Sequence, residues 1–204
     1  MEPIILASAS PRRQEFFRLL HLPFTCLPVM IDETPGLGLN PGQAAEDLAR
    51  RKVMALVNET NKGQPDTKTL KDTARWIFGA DTIVVLNGEI YGKPAGREAA
   101  RLTLARLAGK QHEVITAMAL FDRKENRTDC RSVSCKVEFA PMTEAEIEWY
   151  LDTGEWEGAA GAYRLQETAG CLIKSINGSP SAVAGLPLRE FYVMLRDNGY
   201  RFGA

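Results

Sequence analysis

The sequence predicts an α/β (α+β mixed) fold, a central mixed sheet flanked by helices, and three observations carry that prediction. Segments of helical period alternate with short apolar runs from one end of the chain to the other. The longest apolar run, Trp76 to Leu86, is followed by Asn87-Gly88, the strongest short hairpin signal available, so antiparallel pairing is mixed into the alternation. No internal repeat is visible, and 204 residues are enough to bury a real core in one domain spanning 1–204.

The elements follow in chain order. Pro3 to Ser8 reads as a short buried strand, and Ser10-Pro11 as a helix start with Ser10 as N-cap and Pro11 at the first helical position. Phe16, Phe17, Leu19 and Leu20 supply that helix's apolar face. A second helix begins near Asn40-Pro41 and runs to about Val57. Asn58 to Arg75 is polar, carries Gly63 and Pro65, and reads as a surface loop. Trp76 to Leu86 is a strand, and Gly96 to Lys110 a helix stopped by Gly109. Two strands fit Glu113 to Phe121 and Val133 to Phe139. Thr143 and Glu146 make a capping box that opens a helix to about Asp152. A glycine-rich loop, Gly158 to Gly161, leads to strands around Tyr163 to Gln166 and Cys171 to Ser175. The last helix runs from about Leu188 to Asp197 and stops at Asn198-Gly199.

Composition excludes several classes. A formal net charge of -1 gives no global attraction to nucleic acid or to a membrane surface, so any anion site must be local. No stretch approaches the roughly 20 apolar residues of a membrane helix, and MEPIILASAS lacks the basic start of a signal peptide. The cysteines, Cys26, Cys130, Cys135 and Cys171, show neither CxxC nor metal-ligand spacing with His21 or His112, and read as reduced thiols of a cytoplasmic protein.

Chemistry concentrates in a few places. Ser8, Ser10, Arg12 and Arg13 lie where a strand meets a helix N-terminus, whose unsatisfied N–H groups favour anions. Two arginines in a first turn oppose the helix dipole; a bound polyphosphate would resolve the conflict, and a capped helix with two solvated arginines is the alternative. Lys52 falls inside the stripe Ala45, Leu48, Ala49, Val53, Leu56, so it either snorkels outward or points at an anion. Asp81 interrupts a buried strand, which is costly without a cation, hydrogen bonds or a metal. A two-residue turn at Asn87-Gly88 sets Lys93 opposite Thr82 and on the other face from Asp81, unless a bulge intervenes at Gly79 or Gly92. Asp32 and Glu33 are either a solvated loop pair or metal ligands; with two histidines in the chain, carboxylates are the better candidates for general base and for a Mg²⁺ site. Gly88 to Lys93 is too short for a phosphate-binding P-loop.

Taken together these residues resemble the Maf family of nucleotide pyrophosphatases. The matching motifs are Leu6-Ala7-Ser8-Ala9-Ser10-Pro11-Arg12-Arg13, Glu33, Lys52, Gly79-Ala80-Asp81-Thr82, Gly92-Lys93-Pro94, His112, Ala160-Gly161-Ala162-Tyr163, Gln166 and Gly185-Leu186-Pro187. They occur in the family's order over nearly the whole chain. The resemblance implies a Maf/ITPase-like fold of two lobes around a substrate cleft, a homodimer, and hydrolysis of a nucleoside triphosphate to monophosphate and pyrophosphate. It implies that Asp81 accepts the proton of the attacking water, that Glu33 and Asp81 hold Mg²⁺ or another divalent cation such as Mn²⁺, and that Ser8, Ser10, Arg13, Lys52 and Lys93 grip the phosphates. Arg12, Thr82 and Gln166 correspond to positions that separate a dTTP/UTP subtype from a 7-methyl-GTP subtype. A Gln amide matches the O4/N3–H edge of uracil or thymine, so the chain resembles the pyrimidine subtype. It departs from the family pattern at Ala159, where lysine is usual, and at Arg164 and Glu167, where glycines are usual. The competing expectations are a house-cleaning enzyme for modified nucleotides and a non-catalytic nucleotide-binding regulator of cell division.

Overall fold

The computed structural model describes residues 1–34, 36–60 and 74–203. Among them are seven strands: β1 (Ile4–Leu6), β2 (Phe24–Cys26), β3 (Trp76–Leu86), β4 (Glu89–Tyr91), β5 (Gln111–Asp122), β6 (Arg127–Phe139) and β7 (Ile173–Asn177). The helices are α1 (Pro11–Leu19), α2 (Pro41–Thr60), α3 (Arg97–Leu107), α4 (Glu144–Asp152), α5 (Pro180–Val183) and α6 (Leu188–Asp197). Strand order is β2-β1-β3-β5-β6-β7 with β4 beside β3, a mixed sheet as the alternation predicts. The chain divides into two compact units, Met1–Asp81 with Ala117–Ser132 and Gly185–Ala204, and Thr82–Thr116 with Val133–Ala184.

In the first unit β1 pairs in parallel with both β2 and β3, Ile4 lying opposite Phe24 on one side and Trp76 on the other. Parallel strands covered on both faces carry continuous apolar sequence, which is why β3 is an unbroken run rather than an alternation. Phe17 of α1, Phe78 of β3 and Phe191 of α6 pack together with ring centroids 4.6 to 5.7 Å apart, at the centre of the unit's core. Rings tilted at these separations add a little beyond their buried area. Asn58 to Thr60 extend α2 by one turn beyond its expected end; residues 61–73 of the expected surface loop lie outside the described residues.

In the second unit β3 turns into β4 as an antiparallel hairpin with Val84 opposite Tyr91 and Leu86 opposite Glu89. Asn87 and Gly88 both take positive φ, 52° and 82°, the geometry a two-residue hairpin turn of the favoured hand requires. The Thr143–Glu146 capping box forms as read, with the Thr143 side chain accepting from Glu146 N–H and the Glu146 carboxylate accepting from Thr143 N–H. One expected strand is absent: Tyr163 to Gln166 is not extended into the sheet. The chain enters it through two successive left-handed residues, Gly161 and Ala162 (φ 67° and 62°), and Glu167 N–H closes a turn onto the Arg164 carbonyl. Apolar and aromatic content suggested a strand there, but that content serves to bury Tyr163 in a loop.

His112 lies in this unit's core, 2.9 Å from the Tyr163 hydroxyl and edge-on to Phe139. Burial pushes its imidazolium down to about 4 from an ordinary 6.5. A histidine depressed in this way binds fewer protons folded than unfolded between those values, so stability is full above about pH 6.5 and falls as the pH drops toward 4. The span corresponds to about 3 kcal/mol at most. Urea midpoints measured from pH 7 to pH 4 should show this loss, and a His112→Gln variant should show a flatter profile over the same window.

Candidate active site

Seven of the ten residues singled out from sequence belong to the first unit. Ser8 follows β1 and is buried; its Oγ accepts from Ser10 N–H at 3.1 Å and from Arg13 Nη1 at 3.3 Å. Ser10 is the N-cap of α1, its Oγ facing Arg13 N–H at 3.5 Å, and Pro11 takes the first helical position. The two arginines behave differently. Arg12 pairs with Glu15 on the next turn at 3.1 Å. Arg13 turns inward, donating from Nε to the Gly185 carbonyl at 2.9 Å. Burial holds the Arg13 guanidinium below its ordinary pKa, while the charges of Asp81 and then Glu33 oppose that shift. Arginine stays charged nonetheless, so a desolvated cation sits beside the helix N-terminus.

Lys52 neither snorkels nor stands apart. Its ammonium is buried, 2.5 Å from Asp81 Oδ1 and 3.0 Å from Glu33 Oε1. Gly79 explains how a helix lysine reaches a strand aspartate. A side chain at 79 would place its Cβ 2.9 Å from Val53 Cγ2 and 3.1 Å from the Ala49 carbonyl, so α2 lies directly on β3 only because that position is bare. Lys52 then points along the strand at Asp81, two residues on.

The acidic loop pair also divides. Asp32 accepts Thr34 N–H at 2.9 Å, and Thr34's hydrogen bonds hold its carboxyl below the usual range; it closes its own turn. Glu33 carries the contact to Lys52. Sequence reading did not identify what fixes this loop: Arg51 donates to the carbonyls on both sides of Glu33, to Asp32 O at 2.7 Å and Thr34 O at 2.8 Å, while its Nε lies 2.9 Å from Asp47. Arginine next to lysine on an exposed helix face carries no local signal of such a contact. Cys26 Sγ, 3.1 Å from the Ser8 carbonyl, was missed for the same reason, since β2 was not recognised.

The other three candidates, Thr82, Lys93 and Gln166, belong to the second unit, and Lys93 and Gln166 are exposed. Lys93 follows β4, and the Gly92 carbonyl before it accepts from Gly161 N–H at 3.1 Å. Gly161 is pressed on Val84: a Cβ there would lie 2.6 Å from Val84 Cγ2, so only glycine fits both the contact and the positive φ. The loop bearing Gln166 is thus tied to the end of the hairpin bearing Lys93. Arg164 and Glu167, which replace glycines of the family pattern, have ordinary backbone and face one another at 3.6 Å, with Arg164 Nη2 donating to Glu157 O at 2.6 Å. Ala159 is buried, where the family pattern has a cation.

Among the described residues no group of three or more His, Cys, Asp or Glu side chains converges as a self-sufficient metal site. The carboxylates of Glu33 and Asp81 do converge, both on Lys52 Nζ. Two hard oxygen donors suit magnesium, which is commonly held by one or two carboxylates with waters and substrate phosphates completing its shell.

A family model described as "Maf-like protein" matches residues 3–198. The chain is 40% identical over 200 residues to a protein of Pelotomaculum thermopropionicum named dTTP/UTP pyrophosphatase, covering 98% of each chain. It is 40% identical over 195 residues to a protein of the same name from Escherichia coli O157:H7, covering 96% of this chain and 92% of that one. Among solved structures it resembles the Staphylococcus aureus Ham1 protein with a TM-score of 0.55, covering 97% of this chain and 100% of that one at 14% identity, a likeness of fold alone.

Proposed function

The chain belongs to the Maf-like protein family, and on that premise we propose that it is a divalent-cation-dependent nucleoside triphosphate pyrophosphatase that hydrolyses dTTP and UTP to the monophosphate and pyrophosphate. Relatives bearing that name match it over nearly their whole length. The observation that carries the chemistry is the buried Lys52–Asp81 pair with Glu33 closing on the same ammonium, and Arg13 and Ser8 at the adjoining helix start.

Asp81 serves as proton acceptor for the attacking water. Its Oδ1 is held by Lys52, which fixes its direction. Ser8, Ser10, Arg13, Lys52 and Lys93 bind the triphosphate, with Arg12 at the edge of that group, and the cations balance charge that develops on the departing pyrophosphate. Glu33 and Asp81 would hold Mg²⁺, or Mn²⁺ in its place. When bound, such an ion polarises phosphate oxygens and neutralises their charge. Thr82 and Gln166 meet the nucleoside, the Gln166 amide donating to O4 of the uracil or thymine ring. Removal of surplus or modified nucleotides from the pool is the physiological reading.

Cytoplasmic location and a homodimer belong to the same proposal. Four free thiols suit a reducing compartment, and among the described residues no helix is long and apolar enough to cross a membrane. A net charge of -1 favours small nucleotides held by local cations over a nucleic-acid partner.

The test is a product assay with Mg²⁺ over dTTP, UTP, CTP, GTP, 7-methyl-GTP and ITP. Pyrophosphate and monophosphate from dTTP and UTP are the expected products; preference for 7-methyl-GTP would reject the assignment of Gln166. Arg51→Ala should lower kcat/KM about tenfold, the scale of losing hydrogen bonds from one charged group. The variant should also need more Mg²⁺ for half-maximal rate, because Glu33 loses the clamp on its flanking carbonyls. An unchanged Mg²⁺ requirement would mean that Arg51 serves the helix surface alone.

A further inference from the structure

Thr82 breaks the burial pattern of its strand. Every other residue of β3 is buried, and Thr82 is partly open. Its hydroxyl oxygen lies 2.9 Å from that of Thr116, which is fully buried, and Thr116 Oγ1 lies 2.8 Å from the Ala182 carbonyl oxygen. A hydroxyl has one proton and two lone pairs, and a carbonyl has none to give. The Thr116 proton is therefore committed to Ala182. Two hydroxyl oxygens 2.9 Å apart need a proton between them, and the remaining source is Thr82. Thr82 thus donates inward, and toward any other group its oxygen can only accept.

We propose that Thr116 is a specificity-determining positioning residue: by drawing the Thr82 proton inward it makes Thr82 an obligate hydrogen-bond acceptor toward the nucleotide. This rests on the reading above in which Thr82 meets the nucleoside. The substrate class follows from the polarity. A uracil or thymine ring presents N3–H, a donor that an acceptor-only oxygen receives. Cytosine presents a bare N3 lone pair at the same position, and two facing acceptors leave a desolvated group unsatisfied. A freely rotating hydroxyl would serve either base, so discrimination comes from the buried partner behind Thr82 rather than from the exposed residue alone.

The experiment compares kcat/KM for UTP and CTP in the wild-type protein, Thr116→Val, Thr116→Ser and Thr82→Val, with melting temperatures recorded for each. The wild type should favour UTP. Valine at 116 keeps the shape but releases the Thr82 proton, so the UTP-to-CTP ratio should fall roughly tenfold, mainly through a gain with CTP. Serine at 116 restores the proton arrangement and should keep the ratio within about twofold. If the valine variant does not fold, Thr82→Val decides: UTP should lose about tenfold and CTP change less than about twofold. A folded Thr116→Val with the wild-type ratio, or equal losses for both nucleotides in Thr82→Val, overturns the proposal. Wild-type turnover of UTP and CTP at equal efficiency overturns it while leaving the pyrophosphatase reading intact. A wild type inert toward every pyrimidine triphosphate removes that reading and this inference together.

Discussion

Asp81→Asn should lower kcat with UTP by roughly 10³-fold while changing nucleotide affinity less than about tenfold, because it removes a proton acceptor and keeps the side chain's size. The asparagine amide occupies the same place in β3 above Gly79, so the approach of α2 to the strand is preserved. Lys52 remains 3.0 Å from Glu33 and retains a carboxylate partner. Loss therefore falls on the chemical step. Steady-state kinetics give kcat, and calorimetric titration with a non-hydrolysable α,β-methylene analogue gives the affinity. A wild type and variant that both bind the analogue and are equally inert would favour the non-catalytic regulator instead.

The second large effect is on stability. Lys52→Met should destabilise the fold by about 3–5 kcal/mol near neutral pH, the range found when one partner of a buried ion pair is removed. Methionine fits the aliphatic path of the lysine along the apolar stripe of α2, so the loss reports the charge and not a cavity. Asp81 is buried, whereas the side chain of Glu33 is 40% exposed and is relieved by solvent. The cost should thus reside in Asp81, and Lys52→Met combined with Asp81→Asn should recover much of it. Urea midpoints of the two single variants and the double form a cycle, and a coupling near zero would show that Lys52 and Asp81 do not stabilise one another.

What was legible in the sequence follows from which signals are local. Asp81 stood out because a carboxylate inside a continuous apolar run has few explanations, and the hairpin after it was set by Asn87-Gly88, whose positive φ values few other dipeptides accept. The start of α1, the capping box of α4 and the extent of α6 were readable because caps and apolar periodicity lie within a few residues of one another. β2 was not, since three half-buried residues in an edge strand beside β1 show neither alternation nor a turn signature. α5 escaped for a similar reason, being a single turn begun by Ser179 and Pro180. Tyr163 to Gln166 differs from the expected strand because aromatic burial in a loop carries the same sequence pattern as burial in a strand.

In the candidate site the residue types were readable and the pairings were not. Position 52 in an apolar stripe allowed snorkelling or an anion; the structure turns it onto two carboxylates, a contact that depends on the bare Gly79 in a strand 27 residues away in sequence. Arg12 and Arg13 are adjacent and alike in sequence, yet one lies on the helix surface with Glu15 and the other is buried against Gly185. The direction of the Thr82 proton depends on a carbonyl a hundred residues further along the chain, at Ala182.

The central claim is attack by water at the α-phosphorus of a pyrimidine nucleoside triphosphate. Hydrolysis of UTP in ¹⁸O-labelled water, followed by mass analysis of both products, tests it most directly. The account predicts one labelled oxygen in the monophosphate and none in the pyrophosphate. Label in the pyrophosphate would place the attack at the β-phosphorus, and release of orthophosphate with UDP would place it at the γ-phosphorus; either contradicts the account.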